Sequence, residues 1–186
     1  LFSNEIGEMK TILAEIEPLV ADNMESLLGA VTLQGLSSLV WGHDIHLALV
    51  KEKEISELIR RAPNSPFSAE ATTVIGTCHR WRGDAKKCSE IFKPLLPILK
   101  ASATPVYYME TIFHYGLALG EQGRYQEAIR VLEEGREFGL KSGERYNTPK
   151  LTNSLGWAYH ELCHFAKAIE YNHLALDSIQ ELIGPG

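Results

Sequence analysis

The sequence predicts an all-α fold, a right-handed α-solenoid of antiparallel helix hairpins. Three observations predict it. Apolar residues recur at helical spacing, as in Met9, Ile12, Leu13, Ile16 and Leu19 and again in Ile129, Leu132 and Phe138, while nothing alternates apolar and polar long enough to make a sheet. Turn residues cut the chain into pieces of ordinary helix length. The chain also repeats itself every 40 residues: Gly76, Gly116 and Gly156 align, as do Ala85, Tyr125 and Phe165, and then Cys88, Ala128 and Ala168.

The elements follow in order. A first helix at 3–20 carries the Met9-to-Leu19 stripe. Helices at 22–41 and 44–61 form a weaker pair, with Leu36, Ile45 and Ala48 in the repeat's slots. The helix at 66–82 opens at Ser65-Pro66, and the helix at 84–100 follows the turn Arg82-Gly83-Asp84. The helix at 104–121 opens at Thr104-Pro105, and the one at 125–141 follows Gly123. The last two, at 147–161 and 165–182, are separated by a turn in which Cys163 holds the slot of Gly83 and Gly123, and Thr148-Pro149 opens the former. In each Ser/Thr-Pro pair the hydroxyl can cap a free N–H, and proline is tolerated at the first helical position. The expected organisation is one repeat array over 1–186: a helix of a truncated repeat at 1–21, a degenerate repeat at 22–62, and repeats at 63–103, 104–143 and 144–186. Small residues at two fixed positions let paired helices approach, and each hairpin needs neighbours to bury its apolar faces.

The stretches "YGLALGEQGRYQEAIRVLEEG" and "LGWAYHELCHFAKAIEYNHLAL" resemble the tetratricopeptide repeat (TPR): a small residue in mid-helix A, Gly and an aromatic at the turn, then Ala in helix B. The period of 40 is similar to the longer-helix variety found in bacterial signal-transduction ATPases and in ATPase–cyclase or ATPase–kinase fusions. The resemblance is specific over 66–183, weaker over 22–61, and only a lone second-helix fit over 3–20. It implies a non-enzymatic segment that binds peptides or partner proteins along a concave face, acting as scaffold or sensor in a larger signalling protein. It implies no cofactor.

Composition narrows the classes. The chain has 186 residues, is 45% hydrophobic and 23% charged, and carries a net charge of −6, which fits a folded protein rather than a disordered one. There is no run of Lys and Arg to make the basic stripe of a nucleic-acid binder. Three cysteines, Cys78, Cys88 and Cys163, share no metal spacing and read as free thiols in a reducing, cytoplasmic setting. No apolar run approaches a membrane span. The chain opens Leu1-Phe2-Ser3 and reads as a piece of a longer protein.

Two motifs invite other readings. His160-Glu161-Leu162-Cys163-His164 fits H-E-x-x-H, the zinc-peptidase pattern in which two histidines share a helical face and a glutamate serves as general base. A zinc-dependent hydrolase is therefore the alternative from another class. In the repeat register, however, the motif straddles a turn, so His160 and His164 need not share a helical face, and no third ligand stands in a recognisable place. Arg82-Gly83-Asp84 resembles an adhesion motif but holds the same turn slot, where glycine supplies tight geometry and aspartate caps a helix. No Ser-His-Asp or phosphate-cradling pattern appears. A purely architectural spacer is the third reading.

Carrying over the concave positions of the resemblance gives the candidate partner-binding residues. They are Glu70, Thr73, Thr77 and Arg80 in one repeat, Glu110, Phe113, His114, Leu117 and Glu121 in the next, and Lys150, Asn153, Trp157 and His160 in the last. Repeats that clamp a C-terminal carboxylate use paired Lys, Asn and Arg here; this chain has Lys150, Asn153 and Arg80 but not the rest. Phe113, Leu117 and Trp157 are expected to lie near one another and to anchor a peptide, which could come from the same full-length protein. A homodimer through one end of the array is also expected, because Tyr171, Leu174 and Ile179 face surfaces their own hairpin cannot all bury.

Overall fold

The computed structural model describes residues 2–40, 44–101 and 104–183, and among them every regular element is helical. The helices are α1 (Phe2–Leu19), α2 (Met24–Val40), α3 (Ile45–Arg61), α4 (Ser68–Trp81), α5 (Ala85–Lys100), α6 (Pro105–Glu121), α7 (Tyr125–Ser142), α8 (Asn147–Glu161) and α9 (Phe165–Ile183). Each lies within about two residues of its expected range. The side chain of Met9, the expected helix residue at 41 and the domain-end residues 1 and 184–186 lie outside the described residues. No described helix is long and apolar enough to cross a membrane.

Helix starts depart from the Ser/Thr-Pro expectation in two of three places. Pro105 does open α6. Helix α4 begins only at Ser68, and the Ser65 hydroxyl instead accepts the Phe67 amide at 3.3 Å. Helix α8 begins at Asn147, before Thr148-Pro149, because the Glu144 carboxylate caps it. That carboxylate accepts the amides of Tyr146 (3.0 Å), Asn147 (2.7 Å) and Thr148 (3.2 Å), satisfying N–H groups that a helix leaves open. The turn slots behave as the register requires: Gly83 and Gly123 have φ of +82° and +74°. Cys163 adopts φ +59°, the left-handed region that glycine enters freely and other residues do not.

The chain divides into two compact units, Leu1–Gly83 and Asp84–Gly186, a boundary that falls inside the expected repeat 63–103. In the first, α2 packs on α1, α3 and α4. Gln34 ties α1 to α2 by donating to the Leu13 carbonyl (3.0 Å) and to Glu17 (2.7 Å), and Lys51 of α3 pairs with the same Glu17 at 3.0 Å. The close approach in this degenerate repeat uses Gly35 rather than Leu36: a Cβ there would stand 2.9 Å from Val74 of α4. Arg82 pairs with Glu52, and Asp84 caps the Lys87 amide at 3.0 Å, so the residues of the adhesion-like triplet serve the scaffold. The Cys78 thiol is pushed up to about 12 by burial, with the Glu52 carboxylate adding to it, and is inert at neutral pH.

In the second unit α5 packs on α6, α6 on α7, α7 on α8 and α8 on α9, and α6 also meets α8. The slots found in the sequence are close-approach points. A Cβ on Gly116 would stand 2.5 Å from Leu132 of α7, and one on Gly156 would meet the Asn172 side chain of α9; Gly135, outside those slots, is a further such point, its Cβ 2.7 Å from Ile112 and 3.2 Å from Leu151. Cys88, Ala128 and Ala168 are all buried, as their shared slot demands.

Candidate functional site

The expected site residues on α6 and α8 fall into two clusters. At one end Glu110 is almost wholly buried, at 2% exposure, and its carboxylate meets the Lys150 ammonium at 3.1 Å. The same ammonium lies 4.2 Å from the Tyr146 ring and 5.6 Å from the Phe113 ring, an aromatic seat that favours a cation. His114 Nε2 stands 3.7 Å from Glu110, and its ring meets Phe113 edge-on at 4.9 Å. Burial pushes the Glu110 carboxyl above the usual carboxylate range, with Lys150 acting against it. At the other end Trp157 lies over Gly120, whose missing side chain makes room for the indole, and meets Tyr125 edge-on at 5.9 Å.

The structure shows how deep each of the expected residues sits. Phe113, Leu117, Lys150 and Trp157 are half-buried, and Glu121, Asn153 and His160 are exposed. Glu110 and His114 are buried, as are Thr73 and Thr77 on α4, while Glu70 and Arg80 are half-buried. The physical reason is that a helix A residue between two neighbouring helices is covered from both sides. Phe113 meets His114 and the Lys150 ammonium, whereas Trp157 meets Tyr125 and lies over Gly120. Tyr146 was missed; its signal was in the sequence, since it stands four residues before Lys150, the spacing that brings two helical side chains together.

Chemically, this face offers aromatic and aliphatic surface edged by amide and imidazole groups. The Lys150 charge is already engaged by Glu110 and two rings, so it is a weak clamp for a free carboxylate. In the H-E-x-x-H stretch His160 Nδ1 stands 3.7 Å from Glu161, but the two histidines pack on different rings. Helix α8 ends at Glu161, the His160 ring packs on Phe165 at 5.6 Å, and the His164 ring stacks near Tyr159 at 6.1 Å. Among the described residues no group of three His, Cys, Asp or Glu could hold a metal ion.

Comparison with solved structures bears on the fold. The chain is similar to the nearly identical TPR-like repeats of a Podosopora anserina protein of the kinesin light chain type, at 13% identity, with a TM-score of 0.63, covering 97% of this chain and 89% of that one. The fold is TPR-like. It is also similar to a signal transduction ATPase with numerous domains that has a tetratricopeptide repeat sensor, from Pyrococcus horikoshii (15% identity, TM-score 0.64, 93% of this chain and 26% of that one). A third similar structure is Bacillus thuringiensis PlcR in complex with the peptide PapR7 and DNA (14% identity, TM-score 0.65, 96% of this chain and 69% of that one). No family model matches the sequence, and no curated protein matches it.

Proposed function

We propose that the chain is a protein-interaction segment that takes an extended peptide, or a peptide-like stretch of a partner protein, across the face shared by α6 and α8. The observation that carries this reading is the run of half-buried Phe113, Leu117 and Trp157 on that face, with exposed Asn153 and His160 beside them. Aromatic side chains supply much contact area at small entropic cost, and amides at the rim can pair with a peptide backbone. The likeness to Bacillus thuringiensis PlcR, solved in complex with the peptide PapR7 and DNA, and to an ATPase with a repeat sensor, supports a peptide or protein as the ligand and a sensor or scaffold as the role. The partner best suited carries an apolar anchor and mixed polar flanks rather than a strongly acidic tail, because Lys150 is already paired. A cytoplasmic setting belongs to the same reading, since Cys78, Cys88 and Cys163 are free thiols.

The test is a peptide selected from a displayed random library with the 186-residue chain as bait. Trp157→Ala is expected to weaken its binding by at least ~2 kcal/mol, the level of an interface hot spot. Circular dichroism checks that the variant remains helical. Unchanged affinity in Trp157→Ala places the ligand on another face and defeats the reading.

A further inference from the structure

On α6 and α8 the residue before the close-approach glycine, and the second and third residues after it, point into the core. From Gly116 these are Tyr115, Ala118 and Leu119, and from Gly156 they are Leu155, Ala158 and Tyr159, all buried. Counted in the same way from Gly35 of α2 they are Gln34, Ser37 and Ser38, equally buried but polar. A serine fills less space than the leucine or tyrosine of the other two repeats, and here a pocket of about 220 Å3 opens between α1, α2 and α3. Leu13 and Ala14 of α1 and Leu47 of α3 supply its apolar walls, and Glu17 and Lys51 line it from the same two helices. All three helices belong to the first compact unit. The exposed apolar stripe of α1, Ile12, Ile16 and Leu19, lies on another side of that helix, so the pocket is bounded by packing that this unit supplies.

The hydrogen bonds of the pocket say what fits it. Gln34 Nε2 donates to the Leu13 carbonyl at 3.0 Å and to the Glu17 carboxylate at 2.7 Å. Both partners only accept, so the carboxamide is fixed in this orientation, and its Oε1 is buried with no hydrogen-bond partner among the described residues. A buried acceptor without a donor is unfavourable, and a ligand that brings one relieves it. The Ser37 and Ser38 hydroxyls donate to the Gln34 carbonyl, at 3.0 and 2.8 Å, so towards a ligand they act as acceptors. The Lys51 ammonium is held between Glu17 and Glu54, 3.0 Å from each, which leaves this trio with one negative charge in excess. The matching ligand therefore donates hydrogen bonds, carries a positive charge, and has an apolar body to meet Leu13, Ala14 and Leu47. It is also small, because the pocket falls below the ~300–1,000 Å3 that drug-sized ligands occupy.

We propose that the pocket between α1, α2 and α3 binds a small organic ammonium, a primary amine on a short aliphatic or aromatic body, with the charged group among the oxygens of Glu17, Gln34 and Ser38. The test is an amide NMR titration of the 186-residue chain with benzylamine at neutral pH, beside its neutral and anionic counterparts, benzyl alcohol and benzoate. Benzylamine is expected to give saturable shifts within residues 13–17, 34–38 and 47–51. It is expected to bind about tenfold more tightly than benzyl alcohol, the difference between a charged and a neutral hydrogen-bond donor, and benzoate is expected not to bind there. Two variants locate the site. Ala14→Phe obstructs the pocket from an exposed position, and Gln34→Leu installs the residue that α8 carries in the same slot. Each is expected to weaken benzylamine binding about tenfold, the loss of one hydrogen bond to a charged group or its equivalent in excluded volume, with an unchanged circular dichroism spectrum. The proposal is overturned if none of the three segments shifts saturably, if benzyl alcohol or benzoate binds as tightly as benzylamine, or if benzylamine binds either folded variant as it binds the wild type.

Discussion

Cys163 and Glu110 each hold a position at a cost, and both costs can be measured. Cys163 sits at φ +59° in a turn whose equivalents are Gly83 and Gly123. A side chain in the left-handed region costs roughly 1–2 kcal/mol, and Cys163 is exposed, so little packing offsets that cost. Cys163→Gly is expected to raise the melting temperature by a few degrees; a lower melting temperature would mean that the thiol makes contacts worth more than the strain. Glu110 is the reverse case of a surface ion pair. Burial raises its pKa in the folded chain above the ordinary 4.5, despite Lys150. A carboxyl with a higher pKa folded than unfolded favours folding while protonated, and that contribution is lost as pH rises through the folded pKa. Glu110→Gln stays neutral, so its stability relative to the wild type is expected to grow as pH rises from about 4.5 towards neutrality. Chemical unfolding at a series of pH values reads the difference. A relative stability that falls over that window would show that the Lys150 pair outweighs the burial.

Helices and their spacing were legible in the sequence because they rest on local pattern. The 40-residue period located Gly116, Ala128 and their equivalents, and these are the points where the helices meet. Gly116→Ala is the direct test of that register. Alanine favours a helix over glycine by about 1 kcal/mol, but here its Cβ would stand 2.5 Å from the fully buried Leu132. Overpacking of roughly 1–3 kcal/mol is expected to exceed the gain, so the variant melts lower; a higher melting temperature would mean that Leu132 yields without cost. Less legible was the depth of the site. Helical register gives the direction of a side chain, not what a neighbouring helix lays over it, which is why Glu110, His114, Thr73 and Thr77 were expected on an open surface and are buried. The start of α8 was placed correctly at 147, but the signal credited with opening it was not the one used. Thr148-Pro149 is a valid opening signal, but Glu144 reaches three backbone amides first, and its use depends on the turn that precedes the helix.

For the molecule as a whole, the repeat gives the chemistry-like motifs a structural place. The H-E-x-x-H and Arg-Gly-Asp stretches both fall on the turn between paired helices, where the scaffold needs a cap, a tight bend and a packed aromatic ring. The surface proposed for peptide binding is the face of α6 and α8. The central claim is that the α6 and α8 face receives a peptide. Hydrogen–deuterium exchange of the 186-residue chain, with and without a saturating selected peptide, tests it most directly. The account predicts added protection in α6 and α8, around Phe113, Leu117 and Trp157. Protection confined to other helices, with α6 and α8 unchanged, would contradict it.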